Sequence, residues 1–131
     1  MSGARDVTRR QLILLVEDQL DARELYAEYL NYAGFSVVTA INGHEAIRLA
    51  RMLRPDLILM DIRMPGMDGF EATADLKADR NLAHIPIVAI TADPSSDVSD
   101  RAIAAGCAAC ISKPALPDQV AKEISRVLAG L

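Results

Sequence analysis

Four short apolar runs in this chain end on side chains that can do chemistry, and that pattern constrains the fold more than any other feature. Leu12-Ile13-Leu14-Leu15-Val16 ends on Glu17-Asp18, Leu57-Ile58-Leu59-Met60 on Asp61, Ile87-Val88-Ala89-Ile90 on Thr91, and Ala108-Ala109-Cys110-Ile111-Ser112 on Lys113. A fifth run, Ser36-Val37-Val38-Thr39-Ala40, carries no such ending. Amphipathic stretches at helical spacing separate the runs. Alternation of this kind reads as repeated βα units around a parallel sheet.

The punctuation sets the boundaries. Strands are expected at about 12–17, 36–40, 57–61, 86–91 and 108–112, and helices at about 20–33, 44–53, 69–79, 96–105 and 117–129. Gly34 and Gly106 fit helix C-termini, and Asn42-Gly43 fits a turn. Pro55 blocks the second helix, and Pro117 suits the first turn of the last. Ala22, Leu25, Tyr26, Tyr29, Leu30 and Ala33 form the expected buried face of the first helix. Ala46, Leu49, Ala50 and Leu53 do so for the second, Val98, Ala102 and Ala105 for the fourth, and Val120, Ile124, Val127, Leu128 and Leu131 for the fifth; the third has a weak period. The first, third and fourth strands are almost wholly apolar, as strands covered on both faces should be. The second and fifth are shorter or more polar, as edges should be. The result is an α/β fold, (βα)5, with a five-stranded parallel sheet in the order 2-1-3-4-5 and helices on both faces. An eight-unit barrel needs a longer chain, and no glycine-rich phosphate loop follows the first strand.

The chain has 131 residues, which fits one domain. About two thirds of the unfolded surface of such a domain becomes buried. Residues 1–10 read as a flexible N-terminal tail and 11–131 as the domain. The net charge of −4 argues against nonspecific nucleic-acid binding, which needs a basic face. No apolar stretch reaches the ~20 residues that span a bilayer, so no membrane partner and a cytoplasmic location are expected. Cys107 and Cys110 are spaced C-x-x-C, but they enter a strand rather than open a helix, and no further cysteine cluster completes a metal site. They read as small buried thiols. His44 and His84 fall away from the C-terminal strand edge and are not expected to act. Met60, Met64 and Met67 read as packing residues.

Taken singly, each of the ending residues has an ordinary explanation. Acids suit helix starts, Asp61 fits a solvated turn, Thr91 a strand-end hydroxyl, and Lys113 a surface charge. Lys113 is less easily dismissed where arginines outnumber lysines eleven to three. Adjacent parallel strands would bring Glu17, Asp18 and Asp61 to one sheet edge, where open α/β sheets bind ligands. One divalent cation could then use all three acids. Together with the hydroxyl and the lysine, these are the parts of a magnesium-dependent phosphoryl acceptor.

Those residues, with Asp61-Ile62-Arg63-Met64-Pro65-Gly66-Met67-Asp68-Gly69, Thr91-Ala92 and Lys113-Pro114, resemble the receiver domain of two-component response regulators from Gln11 onward. The resemblance implies the flavodoxin-like form of the fold, with Asp61 accepting a phosphoryl group from a histidine kinase or phosphotransfer protein. It implies Mg2+ (or Mn2+) held by Asp18, Asp61, Glu17 through water, and the Arg63 backbone carbonyl. Lys113, the Thr91 hydroxyl and the Ala92 N–H would contact the phosphoryl oxygens. Arg63 and Asp93 would tune its lifetime. Thr91 and the position of Cys110 would form the switch, read by a downstream protein target. Two departures stand out. Cys110 occupies the place of the usual switch aromatic, and Ala115 follows Lys113-Pro114 where the family usually has an aromatic. Output is therefore expected to rest on a Thr91 shift, with the small Cys110 leaving a surface pocket for a partner. The expected protein is a stand-alone regulator, a monomer or weak dimer and not a turnover enzyme; the initial Met1 favours a full gene product over an excised segment. Alternatives are a receiver segment of a longer regulator or hybrid kinase, a phosphate-independent interaction module, and a phosphohydrolase. The last typically needs an acid two residues after the nucleophile, where Arg63 stands.

Overall fold

The computed structural model describes residues 10–130 apart from Pro65 and Pro94. Strands β1 (Leu12–Val16), β2 (Ser36–Ala40), β3 (Leu57–Asp61), β4 (Ile87–Thr91) and β5 (Ala109–Ser112) alternate with helices α1 (Leu20–Tyr32), α2 (Gly43–Leu53), α3 (Gly69–Ala78), α4 (Ser96–Ala105) and α5 (Pro117–Ala129). All strand pairs are parallel and their order is β2-β1-β3-β4-β5. The expected order and units are therefore found, with ends shifted by at most a residue.

β3 and β4 are buried at every position, while β2 and β5 are mostly half-buried. Each face of the sheet has its own core. Leu14, Val16, Ile58, Met60 and Ala89 pack with α2, α3 and α4 residues such as Ala46, Leu76 and Ala102. Ile13, Leu15, Leu57, Leu59 and Val88 pack with Tyr26 and Leu30 of α1 and Val120 and Ile124 of α5. Alternate residues of each central strand thus serve opposite cores, which is why an unbroken apolar run is needed there.

The helix ends are closed by local chemistry. Asn42 accepts from the Glu45 N–H at the start of α2, and Asp68 with Glu71 forms a reciprocal capping box at α3. Gly106 follows α4 at φ 114°, a left-handed conformation that glycine adopts without cost. Lys113-Pro114 is a cis peptide.

Some helix faces differ from the periodicity. Leu25 is 54% exposed and Ala33 is exposed, so the buried face of α1 narrows to Tyr26 and Leu30, with Ala22 and Tyr29 half-buried. Leu53 lies at the last turn of α2 and is 40% exposed, whereas Ile47, not expected inside, is buried. Of the expected 1–10 tail only Arg10 is described. Its guanidinium donates to the Gly34 and Asn31 carbonyls at 3.0 and 2.7 Å. Leu131, expected in the α5 stripe, lies outside the described residues, as do Pro65 and Pro94 of the two loops.

Candidate functional site

The parallel register assembles the site. Val16 pairs with Met60 and Asp61 with Ile90, so one step beyond β1 Glu17 reaches the level of Asp61. Thr91 pairs with Ser112, which puts Lys113 one residue past the end of β5. The Lys113 N–H donates to the Thr91 carbonyl at 2.6 Å, and the Ile62 N–H to Ile90 at 3.0 Å, so the ladders extend into the site and fix where its side chains start.

Carboxylate oxygens of Glu17, Asp18 and Asp61 lie within 4.8 Å of one another. Glu17 and Asp61 are buried and Asp18 is half-buried. The Lys113 ammonium donates to Glu17 Oε1 at 2.9 Å and to Asp61 Oδ2 at 3.4 Å. Glu17 Oε2 also accepts the Gln19 N–H at 3.2 Å, and Asp61 Oδ1 accepts the Arg63 N–H at 3.1 Å. Arg23 of α1 donates to the Glu17 and Asp18 carbonyl oxygens at 3.0 and 3.3 Å, which holds the acid pair's backbone against the helix.

The Lys113 ammonium pairs with two of the three carboxylates, Glu17 and Asp61, and the cluster keeps an excess of negative charge. Burial, then the proximity of Glu17, pushes the Asp61 carboxyl from 3.8 up to about 7, with Lys113 opposing. Burial also pushes Glu17 upward, but hydrogen bonding with Asp61 and Lys113 outweighs it and leaves that carboxyl below its usual value. Burial lowers Lys113, yet Glu17 and Asp61 more than reverse this and hold its ammonium above the ordinary lysine value. A carboxyl pushed toward its protonated form by burial and a neighbouring acid is what a cation would relieve. The donors are oxygens only, the set preferred by Mg2+ and Mn2+. Both oxygens of Glu17 and both of Asp61 already accept hydrogen bonds, and Glu17, Asp18 and Asp61 each offer one oxygen to the common point. The residues fit a hard divalent cation.

The remaining expected residues surround this point. Thr91 is buried, and its Oγ1 accepts the Asp93 N–H at 3.1 Å. Ala92 is exposed and shares a groove of about 570 Å3 with Lys113, Pro114 and Tyr26. Arg63 and Asp93 form an ion pair at 3.7 Å across the mouth. A second groove, about 640 Å3, opens beside Thr91 and is lined by Ile62, Phe70, Val98 and Arg101, with Cys110 not among its lining residues. There the Arg101 guanidinium stacks 4.1 Å over the Phe70 ring. Cys107 and Cys110 are both free thiols; Cys107 is buried, but Cys110 is only half-buried, contrary to the expected burial of both. His44 and His84 are exposed and do not belong to the acidic cluster.

Sequence reasoning missed three contributors. Arg23 reads as one more charge on a polar helix face. Tyr26, read only as a core residue, donates its hydroxyl to the Ala115 carbonyl at 3.1 Å. Gly69 reads as the end of a turn, but a Cβ there would sit 2.6 Å from Ile62 Cα and 2.7 Å from the Asp61 carbonyl oxygen. The Asp-Gly pair in the loop motif was the only available signal for it.

Comparison with known proteins agrees with this geometry. Residues 13–125 match the family described as response regulator receiver domain. The chain belongs to that family. It is 42% identical over 102 residues to the polar-differentiation response regulator DivK of Brucella anthropi, covering 78% of this chain and 83% of that protein. The chemotaxis protein CheY4 of Vibrio cholerae superposes with a TM-score of 0.86 at 30% identity, covering 91% of this chain and 99% of that one. The signal receiver domain of a histidine kinase from Syntrophus aciditrophicus gives 0.84 at 32% identity, covering 92% of each chain. The flavodoxin-like form of the fold is thereby established. Among the described residues no helix is long and apolar enough to cross a membrane.

Proposed function

We propose that this receiver domain accepts a phosphoryl group on Asp61 from a phosphohistidine of a histidine kinase or phosphotransfer protein, and signals by docking to a downstream target. The observation that carries the reading is the convergence of three carboxylates within 4.8 Å on one point, with the Lys113 ammonium 3.4 Å from Asp61.

Asp18 and Asp61 would hold Mg2+ or Mn2+, joined by the Arg63 backbone carbonyl, with Glu17 acting through water. When bound, the cation supplies positive charge that offsets repulsion between the acids and the donor's phosphoryl oxygens. An Asp61 carboxylate oxygen attacks phosphorus. The new P–O bond forms as the P–N bond breaks, and the histidine nitrogen leaves with the electron pair. Lys113 meets one phosphoryl oxygen, the Thr91 hydroxyl a second, and the Ala92 N–H would serve a third. Fixed donors aimed at developing charge are an effective form of stabilisation because they need no reorganisation. Arg63 and Asp93, paired across the mouth, would limit the approach of attacking water and so set the lifetime of the acyl phosphate. Such a protein turns over only its own phosphoryl group and is not an enzyme acting on external substrates.

Thr91 moving toward the phosphoryl group is the proposed switch. Among the described residues its hydroxyl is held only by the Asp93 N–H, and the groove beside it gives the β4–α4 loop room to rearrange. Cys110, next to Ser99 of α4, offers no large ring to rotate. A stand-alone regulator is favoured by the match to 83% of the length of DivK, and a cytoplasmic location is part of the proposal. The similarity to a histidine kinase's receiver domain keeps open a segment of a larger protein. Phosphotransfer from candidate kinases to wild type and Asp61→Asn in magnesium tests the acceptor: label on the first alone supports it, and equal label on both removes it. A phosphate-independent module would leave both unlabelled and bind no beryllofluoride.

A further inference from the structure

The segment carrying Lys113 is weakly held by its own backbone. Lys113 donates to Thr91, Pro114 has no N–H, and the next bond, from the Leu116 N–H to Gln119 Oε1 at 3.1 Å, faces forward into α5. Between them the Ala115 carbonyl is tied to a different element altogether, the Tyr26 hydroxyl on α1, 89 residues away in sequence. Tyr26 is buried in the core under α1 and α5, and Ala115 packs partly against that same core. The ring therefore packs into the same core as the small Ala115, beside the groove that both line, and its hydroxyl fixes the backbone two residues beyond Lys113. A phenylalanine would keep that packing. What the hydroxyl adds is a fixed distance between α1, whose Arg23 holds the acid pair, and the loop that delivers the ammonium to those acids.

We propose that Tyr26 is a positioning residue for the phosphoryl-acceptor site, tethering the Lys113 loop to α1 through the Ala115 carbonyl so that the Lys113 ammonium is held over Asp61 and Glu17. The proposal deepens the acceptor reading and rests on it. Tyr26 touches neither phosphoryl group nor acceptor; it acts through Lys113. Without the hydroxyl the loop keeps its Thr91 bond but loses its lateral restraint, and the lysine spends less time at the reacting oxygens. One lost hydrogen bond of this kind corresponds to about a two- to tenfold change.

The test is a double-mutant cycle. Phosphorylation by acetyl phosphate in saturating magnesium is measured as initial rate against donor concentration for wild type, Tyr26→Phe, Lys113→Ala and the double variant, with Asp61→Asn as blank. Tyr26→Phe is expected to slow wild type about two- to tenfold and to have no further effect once Lys113 is gone. The same loss in both backgrounds, or none in either, overturns the proposal. A second readout needs no phosphate. The 15N-lysine spectrum of the metal-free protein should show a sharp Lys113 ammonium signal in wild type and a broadened one in Tyr26→Phe; an unchanged signal overturns the tether. Failure of wild type to phosphorylate at all would instead defeat the acceptor reading, with the ammonium spectrum still deciding whether Tyr26 orders Lys113.

Discussion

Replacing the proposed acceptor should make the metal-free protein more stable. Burial and Glu17 raise the Asp61 carboxyl from 3.8 to about 7 in the folded protein. Between those values the folded state holds a proton that the unfolded chain has released. The stability tied to this group is therefore fully present at low pH and lost as pH rises through about 7. Each unit is worth about 1.4 kcal/mol, so the penalty at about pH 8 has a ceiling of roughly 4 kcal/mol. Glu17 opposes it, since its own carboxyl is held low, in part by Asp61. A net effect of about 1–3 kcal/mol is a fair expectation. Asp61→Asn keeps the shape and removes the charge. In chelator at about pH 8 it should melt roughly 3–10 °C above wild type for a domain of this size. At about pH 4 the two should coincide, and saturating magnesium at about pH 8 should narrow the gap by stabilising wild type alone. Thermal and urea unfolding at both pH values, with and without magnesium, make the measurement. If Asp61→Asn is no more stable than wild type at pH 8 in chelator, the pocket holds no excess of negative charge and the electrostatic argument is wrong.

Lys113→Ala should act in the opposite sense, costing roughly 2–5 kcal/mol at about pH 8 because buried Glu17 loses its cation, with a smaller loss near pH 5 by urea titration. Gly69→Ala should cost about 1–3 kcal/mol, because a Cβ there overlaps the β3 end, and should slow acetyl-phosphate labelling of Asp61. Arg63→Ala should leave stability within about 1 kcal/mol, its ion pair being exposed, yet change the half-life of the phosphorylated protein; an unaltered half-life would remove Arg63 from lifetime control. Burial raises the thiols of both Cys107 and Cys110, so at neutral pH iodoacetamide should label them more slowly than a free cysteine, Cys110 ahead of Cys107 by mass spectrometry.

The sequence was most informative where one physical cause dominated. Strands β1, β3 and β4 had to be apolar on both sides, and that alone separates central strands from edges. The ends of those strands then fixed which acids meet, because parallel register leaves little freedom in where a strand's last side chain points. Helix faces were less legible. Leu25, in the middle of α1, and Leu53, the last residue of α2, have the right spacing but are exposed, and periodicity carries no information about a helix's tilt or end. Polar ties between distant elements were not legible at all. Tyr26 and Ala115 meet only because α1 and the β5–α5 loop pack side by side, and nothing local to either residue signals it. Arg23 reaches backbone carbonyls, which leave no trace in side-chain patterning. Gly69 shows its reason only once the α3 start lies against β3.

The most direct test of the central claim is transfer of radiolabelled phosphate from a phosphorylated histidine kinase or phosphotransfer protein to this chain, followed by mapping of the labelled residue. The account predicts magnesium-dependent, acid-stable and base-labile label on Asp61, abolished by chelator and by Asp61→Asn. Label that persists in chelator, or that maps to a residue outside the Glu17, Asp18 and Asp61 cluster, would contradict it.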